Sequence, residues 1–464
     1  MKFWYFDIAF LIVFSLLVFL FLRSRKKNLK REGIFYLYRT KKGLKFMDKL
    51  ARFFKPILDP VGWVSITLGF AMLVGIVYLF IQTIFITSQV PINAPPFLPL
   101  LPYLPQAFKL PLPPFYFIYW ILIIAIVAIT HEFSHGVFAR HNKIKLKSTG
   151  FGFLGPFLTA FVEPDEKQME KKSKKAQLQV FSAGTFSNLI FAVIFLLILQ
   201  LFFVLAYQPA GIAFMPAYSP VNISEIESIG NYSAEEFLSL SDKELSKIEN
   251  TLAVKTDNET YYLDQSLIDE IPLARKIIKK YGTLTAYENA PAFNSGMQGG
   301  IEYINEDKIK SSKDITISLE KYSPEDKVTI TTSEGTYDVT LSNHPNDKEK
   351  AYLGIFSIQK PKTFGGIVNS LTTPYFNPEI YVEARGNEDV TIFFRDLLKW
   401  LVLVCFLVAL FNMLPVVILD GGKMFYIAIL GITKSKKAAK IALTIASYFI
   451  LALVIIMFIV WIAA

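Results

Sequence analysis

The sequence predicts a polytopic α-helical membrane protein that carries a soluble block of strands near its centre. Hydrophobic residues make up 53% of the 464 residues, and the mean hydropathy is +0.40. Apolar runs long enough to cross a bilayer recur along the chain, with short Lys- and Arg-rich segments between them. From about 209 to 390 the sequence turns charged and alternates in polarity, which is typical of a soluble domain.

Six spans have adequate length, at roughly 4–22, 64–86, 115–139, 178–207, 396–413 and 440–463. The first is too long and wrongly flanked for a cleaved signal peptide, so we expect a membrane anchor. Thirteen Lys or Arg occur between Arg23 and Lys55, whereas 87–114 contains nine prolines and one lysine. Because basic loops tend to lie in the cytoplasm, the loop 23–55 is predicted to be cytoplasmic. With six spans, both chain ends and the block 209–390 then lie outside the cytoplasm.

The remaining composition excludes several classes of protein. The net charge of +9 is concentrated in short loops beside apolar spans, as topology signals are, so we expect no nucleic-acid partner. Cys405 is the only cysteine and lies in an apolar run, which excludes intrachain disulfides and a cysteine-based zinc site.

A candidate metal site lies at the end of the third span. Residues 115–130 carry no charge, and His131, Glu132 and His135 follow directly in the sequence HEFSH. Two histidines four residues apart share one helix face and can bind one zinc ion, with the intervening Glu as general base. The usual alternative, an exposed polar helix, is disfavoured beside sixteen uncharged residues because ionisable groups in a membrane span are costly.

Catalytic zinc commonly takes a third protein ligand, and here a carboxylate is expected. The other histidines, His141 and His344, lie in a basic loop and in the soluble block. Asp420 in NMLPVVILDGG is the candidate, although alone it could be a turn residue at a helix end. At a rise of roughly 1.5 Å per residue, His131 lies about 24 Å and Asn412 about 23 Å from the outer ends of their spans. Because both spans are expected to run inward, the two motifs should meet near the cytoplasmic side of the membrane.

Two further segments are not simple helices. Residues 150–162 are apolar and rich in glycine but too short to span, and either a re-entrant hairpin or a membrane-surface loop fits them. Within the soluble block, TLTAY, IEYIN, KVTITT and TYDVTL alternate as short strands.

The pairing of HEFSH with NMLPVVILDGG resembles the site-2 protease family of intramembrane zinc metalloproteases. AGTFSN, at 183–188, is similar to the family's AGP-x-x-N signature, with Thr185 where Pro is usual. GFGFLGPFLTAFVEPDE resembles the region that forms a membrane-inserted β-hairpin in the family, thought to present substrate as a strand. ENAPAFNSGMQGGIEYINEDKI resembles a PDZ domain, about 281–358, and leaves 209–280 as an insertion without a family counterpart.

This resemblance implies roles for individual residues. His131, His135 and Asp420 would bind Zn²⁺, and Glu132 would deprotonate the attacking water and protonate the leaving amine. Asn188 and Asn412 would position the substrate backbone, although Asn188 could equally form an interhelical hydrogen bond. The implied protein is a multi-pass cell-membrane protease whose site faces the cytoplasm and which cuts the membrane segments of single-span proteins.

The implied organisation has four parts: N-terminal helices with a basic loop (1–114), the first part of the catalytic core (115–208), the extracytoplasmic insertion with its PDZ-like domain (209–390), and the second part of the core with the last helix (391–464). A silent membrane adaptor that binds peptides through the PDZ-like domain is the alternative, but it predicts loss of a ligand, which is not seen. A metal transporter would need a polar path through both leaflets, and no span supplies one in the outer half.

Overall fold

A computed structural model of the chain describes residues 3–26, 29–33, 35–89, 95, 99–108, 110, 112–154, 157–358 and 370–463. The chain divides into two compact units. The first unit comprises Met1–Ile198 and Phe393–Ala464 and contains both predicted metal motifs. The second unit, Leu199–Ile392, contains the charged, alternating block.

Helices dominate the first unit, because an α-helix pairs the backbone N–H and C=O groups of a long apolar segment within the segment itself. The helices of the described chain are α1 Trp4–Ser24, α2 Leu44–Phe53, α3 Lys55–Gln89, α4 Leu104–Ala107, α5 Phe117–His141, α6 Glu166–Glu170, α7 Lys174–Ala206, α8 Ala234–Ser239, α9 Asp242–Leu245, α10 Gln265–Tyr281, α11 Pro291–Asn294, α12 Ser312–Leu319, α13 Glu388–Asn412, α14 Asp420–Thr433 and α15 Lys436–Ala463. Short 3₁₀ turns occur at Ile223–Glu225 and Pro374–Phe376.

Five helices in the described part of the chain are long and apolar enough to cross a membrane, namely α1, α3, α5, α7 and α15. They match five of the six predicted spans. The remaining span, 396–413, falls in the 25-residue helix α13, which also carries Arg395, Asp396 and Lys399. Arg395 and Asp396 form an ion pair at 2.8 Å. A sixth crossing therefore stays a prediction.

A four-stranded antiparallel sheet belongs to the same unit, in the order β1 Leu29–Glu32, β2 Phe35–Thr40, β3 Leu146–Leu154 and β4 Phe157–Pro164. Strands β3 and β4 form the hairpin predicted for 150–162, and Phe151 pairs with Ala160 across it. Residues 155–156 lie outside the described residues. Strands β1 and β2, in the predicted basic loop, were not foreseen, because three of the four residues of β1 are charged and β2 shows no apolar–polar alternation. The insertion of the hairpin into the membrane stays a prediction.

The start of α5 is held by a buried carboxylate from another helix. Asp7 of α1 is 1% exposed and accepts hydrogen bonds from the backbone N–H groups of Phe117 and Ile118, at 2.7 and 2.8 Å. The hydroxyl of Tyr103 donates to the same carboxylate. Asp7 thus caps α5 from outside the helix, where free N–H groups and the positive end of the helix dipole favour an anion.

The second unit consists mainly of antiparallel sheets. Its strands are β5 Tyr207–Ile212, β6 Phe214–Pro216, β7 Tyr218–Asn222, β8 Ile226–Ile229, β9 Leu252–Thr256, β10 Thr260–Leu263, β11 Thr283–Glu288, β12 Ile301–Ile304, β13 Asp307–Lys308, β14 Lys327–Thr332, β15 Gly335–Thr340, β16 Ser342–His344, β17 Asp347–Tyr352, β18 Ile355–Ser357 and β19 Ile380–Ala384. Strands β11, β12, β14 and β15 confirm the four predicted from alternation.

Two separate cores lie in this unit. The sheet β7-β11-β10-β9-β8 encloses a core of residues between 221 and 286, with Phe237 and Leu263 fully buried. The sheet β15-β14-β12-β5-β19 covers a second core that includes Ile301 and Ile330. The predicted insertion therefore corresponds largely to a small α+β fold between β7 and β11, whereas the PDZ-like assignment of the second core stays a prediction.

We predict that Asp7→Ala lowers the free energy of unfolding by about 2–3 kcal/mol, because two buried backbone donors lose a charged acceptor. Asp7→Asn should cost less, since its amide oxygen still accepts. Thermal unfolding in detergent measures both variants against Asp257→Ala, which removes an exposed carboxylate in a loop. Equal stability of Asp7→Ala and Asp257→Ala would contradict the capping role.

Candidate metal centre

Three side chains from two distant segments converge inside the first unit. His131 and His135 lie one turn apart on α5, and Asp420 begins α14. Asp420 Oδ2 lies 3.2 Å from His131 Nε2 and 3.1 Å from His135 Nε2, and the two Nε2 atoms are 3.1 Å apart. The side chains of all three residues are about one-tenth exposed. The structure thus brings together the two predicted motifs.

The geometry of this cluster suits a tetrahedral metal ion. Ligand atoms at roughly 2.0–2.2 Å from tetrahedral zinc lie about 3.3–3.6 Å from one another. The three observed separations fall slightly short of that range, so a small outward movement accommodates an ion. Two imidazole nitrogens and one carboxylate oxygen also match the ligand chemistry of catalytic zinc, which leaves a fourth position open.

Helix α7 orients both imidazoles from behind. His135 Nδ1 lies 2.6 Å from the carbonyl oxygen of Val180, so this nitrogen donates and Nε2 is left to face the cluster. The fully buried amide of Asn188 lies 3.1 Å from His131 Nδ1. A partner of this kind fixes the ring orientation of a ligating histidine, and at His135 the carbonyl oxygen also fixes its tautomer. The structure therefore places Asn188 against a predicted ligand, and its expected contact with substrate stays a prediction.

Gly184 of α7 packs directly on the two imidazoles. A Cβ atom at this position would lie 2.5 Å from His131 Cε1 and 2.5 Å from His135 Nε2. Because carbon atoms cannot approach so closely, only glycine lets α7 pass this near to the cluster. The AGTFSN segment therefore contributes its glycine as well as its asparagine.

The loop after α13 sets the position of Asp420. α13 ends at Asn412, and Pro415 lies in the turn that follows. Gly421 and Gly422 lie in the first turn of α14, where a Cβ would lie 2.1 Å from Met413 O and 2.0 Å from a backbone carbonyl oxygen in the loop. The two glycines therefore allow the first turn of α14 to pack against the preceding loop.

Lys423 is a functional candidate that the sequence interpretation missed. Its ammonium lies 3.3 Å from Asp420 Oδ1, the oxygen that does not face the histidines, and 5.1 Å from the ring centre of Phe181. A lysine three residues after a ligand in an apolar helix was the available signal. Lys423 fixes the rotation of the carboxylate so that Oδ2 points at the imidazoles.

The predicted general base lies beside the cluster and contacts the hairpin. Glu132 Oε2 accepts a hydrogen bond from the backbone N–H of Val162 in β4, at 2.9 Å. A cavity of about 520 Å³ opens on Glu132, with mainly apolar walls that include Phe133, Phe151 and Phe161. The site therefore combines three candidate metal ligands, the carboxylate of Glu132 and room for an apolar side chain.

A sequence profile of peptidase family M50 matches residues 119–457, which is more than half of the chain and includes every residue of this cluster. The chain belongs to peptidase family M50, the site-2 protease family. It is also similar to an uncharacterized protein of Methanocaldococcus jannaschii, with 30% identity over 191 residues, which cover 39% of this chain and 48% of that protein. The chain thus spans about half the length of that relative.

Peptidase family M50 consists of membrane-embedded metalloproteases, and the membrane-length apolar helices among the described residues agree with membership of that family. The remaining predicted positions lie in different surroundings. Asn412 is half-buried and its side chain makes no hydrogen bond to the described residues. Thr185, at the position where the family signature has Pro, is buried, and its hydroxyl has no partner among the described residues. His141 pairs with Asp59 at 3.5 Å, apart from the ligand cluster.

We predict that Gly184→Ala abolishes stoichiometric metal binding and destabilises the protein by about 1–3 kcal/mol, because the added methyl displaces both imidazoles. Gly75→Ala is the matched control, since Gly75 also lies within a long helix but has open space around its Cβ position. That change should leave metal content unaltered. Elemental analysis of purified variants measures both, and full metal occupancy in Gly184→Ala would refute the packing argument.

We predict that Asn188→Ala weakens metal affinity by roughly 10–100-fold, the usual effect of losing a partner behind a ligating histidine. Asn412→Ala should leave metal affinity unchanged, because Asn412 contacts none of the ligands. Competition with a chelator of known affinity measures both variants. Equal affinities for wild type and Asn188→Ala would contradict a role in orienting His131.

Proposed function

We propose that this protein is an intramembrane zinc metalloprotease that hydrolyses peptide bonds in or near the transmembrane segments of membrane-anchored proteins. The observation that carries the proposal is the convergence of His131, His135 and Asp420 at the end of an apolar helix, with Glu132 beside them. Membership of family M50 supports the same reaction class.

The proposed roles follow from the contacts of each side chain. His131, His135 and Asp420 would hold the zinc ion, which when bound supplies Lewis acidity that polarises a carbonyl and acidifies water. Glu132 would accept the proton of the attacking water and pass it to the leaving amine. Its Oε2 is engaged by the backbone N–H of Val162, and this bond fixes the carboxylate without protonating it.

The substrate segment would enter as an extended strand. An unwound peptide in lipid needs partners for its backbone polar groups, and the edge of a sheet supplies them. Among the described residues, β4 pairs only with β3, and Glu132 takes the backbone N–H of Val162, so the substrate would pair with β4 away from that residue. The apolar cavity beside Glu132 would accept a substrate side chain, and Asn412 would hydrogen-bond the substrate backbone.

We further propose that the metal site faces the cytoplasm and that the block 209–390 is extracytoplasmic, on the basis of the Lys and Arg excess in 23–55. The region 281–358, with its resemblance to PDZ domains, would bind a peptide end or a partner protein. Placed outside the membrane, the block would also exclude substrates with bulky outer regions.

The decisive experiment is single-turnover cleavage of a tagged membrane helix by purified protein, with and without chelator. Glu132→Gln should retain its metal and lose at least about 100-fold in cleavage rate, because proton transfer is removed while the ligands remain. His131→Ala should lose both metal and cleavage. Glu170→Gln, which changes an exposed carboxylate on α6, should behave as wild type.

Cleavage that survives in Glu132→Gln, or that a chelator does not inhibit, would overturn this mechanism. Loss of cleavage in Glu170→Gln would show that the assay reports damage to the protein and not catalysis.

A further inference from the structure

A strongly basic pocket lies at the end of α5 that follows the metal ligands. Its walls come from α2, the start of α3 and the turn after α5, and it encloses about 410 Å³. We call it the α2–α5 pocket, and its lining residues are Asp48, Ala51, Arg52, Lys55, Arg140, His141 and Lys143. None of them belongs to the metal centre.

The positive charge of this pocket is not balanced within the protein. Of its four permanent cations, only Arg140 pairs with a carboxylate, Asp48 at 2.9 Å. Arg52 bonds a backbone carbonyl, and neither Lys55 nor Lys143 has a carboxylate within 4.0 Å among the described residues. Cations held together around a cavity repel one another, so the pocket favours an anion that bridges them.

The surroundings of the pocket indicate a lipid anion. Next to its basic residues, Phe53 is 74% exposed, Phe54 38% and Ile57 48%. Helix α2 packs its other side, including Met47, into the protein core. A helix end that shows exposed aromatic rings and cations together is suited to the membrane interface.

The pocket lies at the end of a membrane span, which is the depth of the lipid headgroups. α5 ends at His141, and α3 carries an exposed Trp63 with the ammonium of Lys175 at 4.9 Å from its ring centre. Aromatic rings and lysines are enriched where the hydrocarbon core meets the headgroups. The pocket therefore lies where a headgroup phosphate can reach it while acyl chains remain in the bilayer.

We propose that the α2–α5 pocket binds the phosphate of an anionic phospholipid headgroup, with the acyl chains along Phe53, Phe54 and Ile57. The phosphate oxygens accept from Arg52, Lys55 and Lys143. Because Lys143 lies in the turn directly after α5, the bound lipid joins α2 and α3 to the end of the helix that carries His131 and His135.

The test compares two variants that each lose three positive charges. The pocket variant is Arg52→Gln with Lys55→Gln and Lys143→Gly. The control is Lys434→Gly with Lys436→Gln and Lys437→Gln, three exposed residues at the start of α15 and just before it. Lys143 and Lys434 both have a left-handed backbone, with φ of 56° and 55°, so glycine fits at either position.

Binding of phosphatidylglycerol and phosphatidylcholine to the detergent-purified full chain is measured by native mass spectrometry, and inorganic phosphate is titrated separately by thermal shift. We expect wild type to prefer phosphatidylglycerol, the pocket variant to bind it roughly 10–100-fold more weakly, and the control to change less than about threefold.

Equal weakening in both variants would show a general charge effect and overturn the proposal. So would equal binding of the two lipids by wild type. Inorganic phosphate binding as tightly as phosphatidylglycerol would identify a free-phosphate site and overturn the lipid assignment. None of these readouts depends on proteolysis, so the proposal stands or falls separately from the proposed enzymatic function.

Discussion

The convergence of His131, His135 and Asp420 within an apolar helix bundle is the constraint on which the rest of the first unit depends. Polar groups in such surroundings must have partners, because the bilayer supplies none. Each ligand has one: Val180 O and the Asn188 amide for the imidazoles, and Lys423 for the carboxylate. Contacts within the protein thus orient all three side chains of the cluster.

Both ends of α5 are held by charged groups, and this fixes the position of the ligands along the helix. At its start, the Asp7 carboxylate of α1 accepts two backbone hydrogen bonds. At its end, Arg140 pairs with Asp48 of α2. The anion lies at the positive end of the helix dipole and the cation at the negative end, so both contacts are favourable. A helix anchored in this way keeps its metal ligands at a fixed depth.

The hairpin β3–β4 links the four-stranded sheet to Glu132, the proposed general base. Val162 donates its backbone N–H to Glu132, so the same strand that could receive an extended peptide also positions the proposed base. In the proposed mechanism, this one hydrogen bond would connect substrate entry and proton transfer. It also explains why a glycine-rich apolar segment lies so close in sequence to the metal-binding helix.

The sequence by itself determined the elements with a strong local signal. Five apolar spans, four alternating strands and the pair His131–His135 follow from periodicity or spacing, whereas the hairpin after α5 was favoured only by the family resemblance. Even the approach of Asp420 could be predicted, because counting residues along two spans gives their relative depth. These features depend on residues close together in the chain, where hydrophobic period and helical rise apply directly.

Apart from the approach of Asp420, contacts between distant segments were decided only by the tertiary structure. β1 is almost entirely charged and β2 lacks an apolar–polar alternation, so only the pairing of β2 with β3 shows that this segment is part of a sheet. Asp7 in an apolar span gives no indication that it caps another helix, 110 residues later. The need for glycine at 184 likewise appears only once α7 packs on the imidazoles. In each case the partner is remote in the chain, so no local pattern encodes the contact, and packing alone creates it.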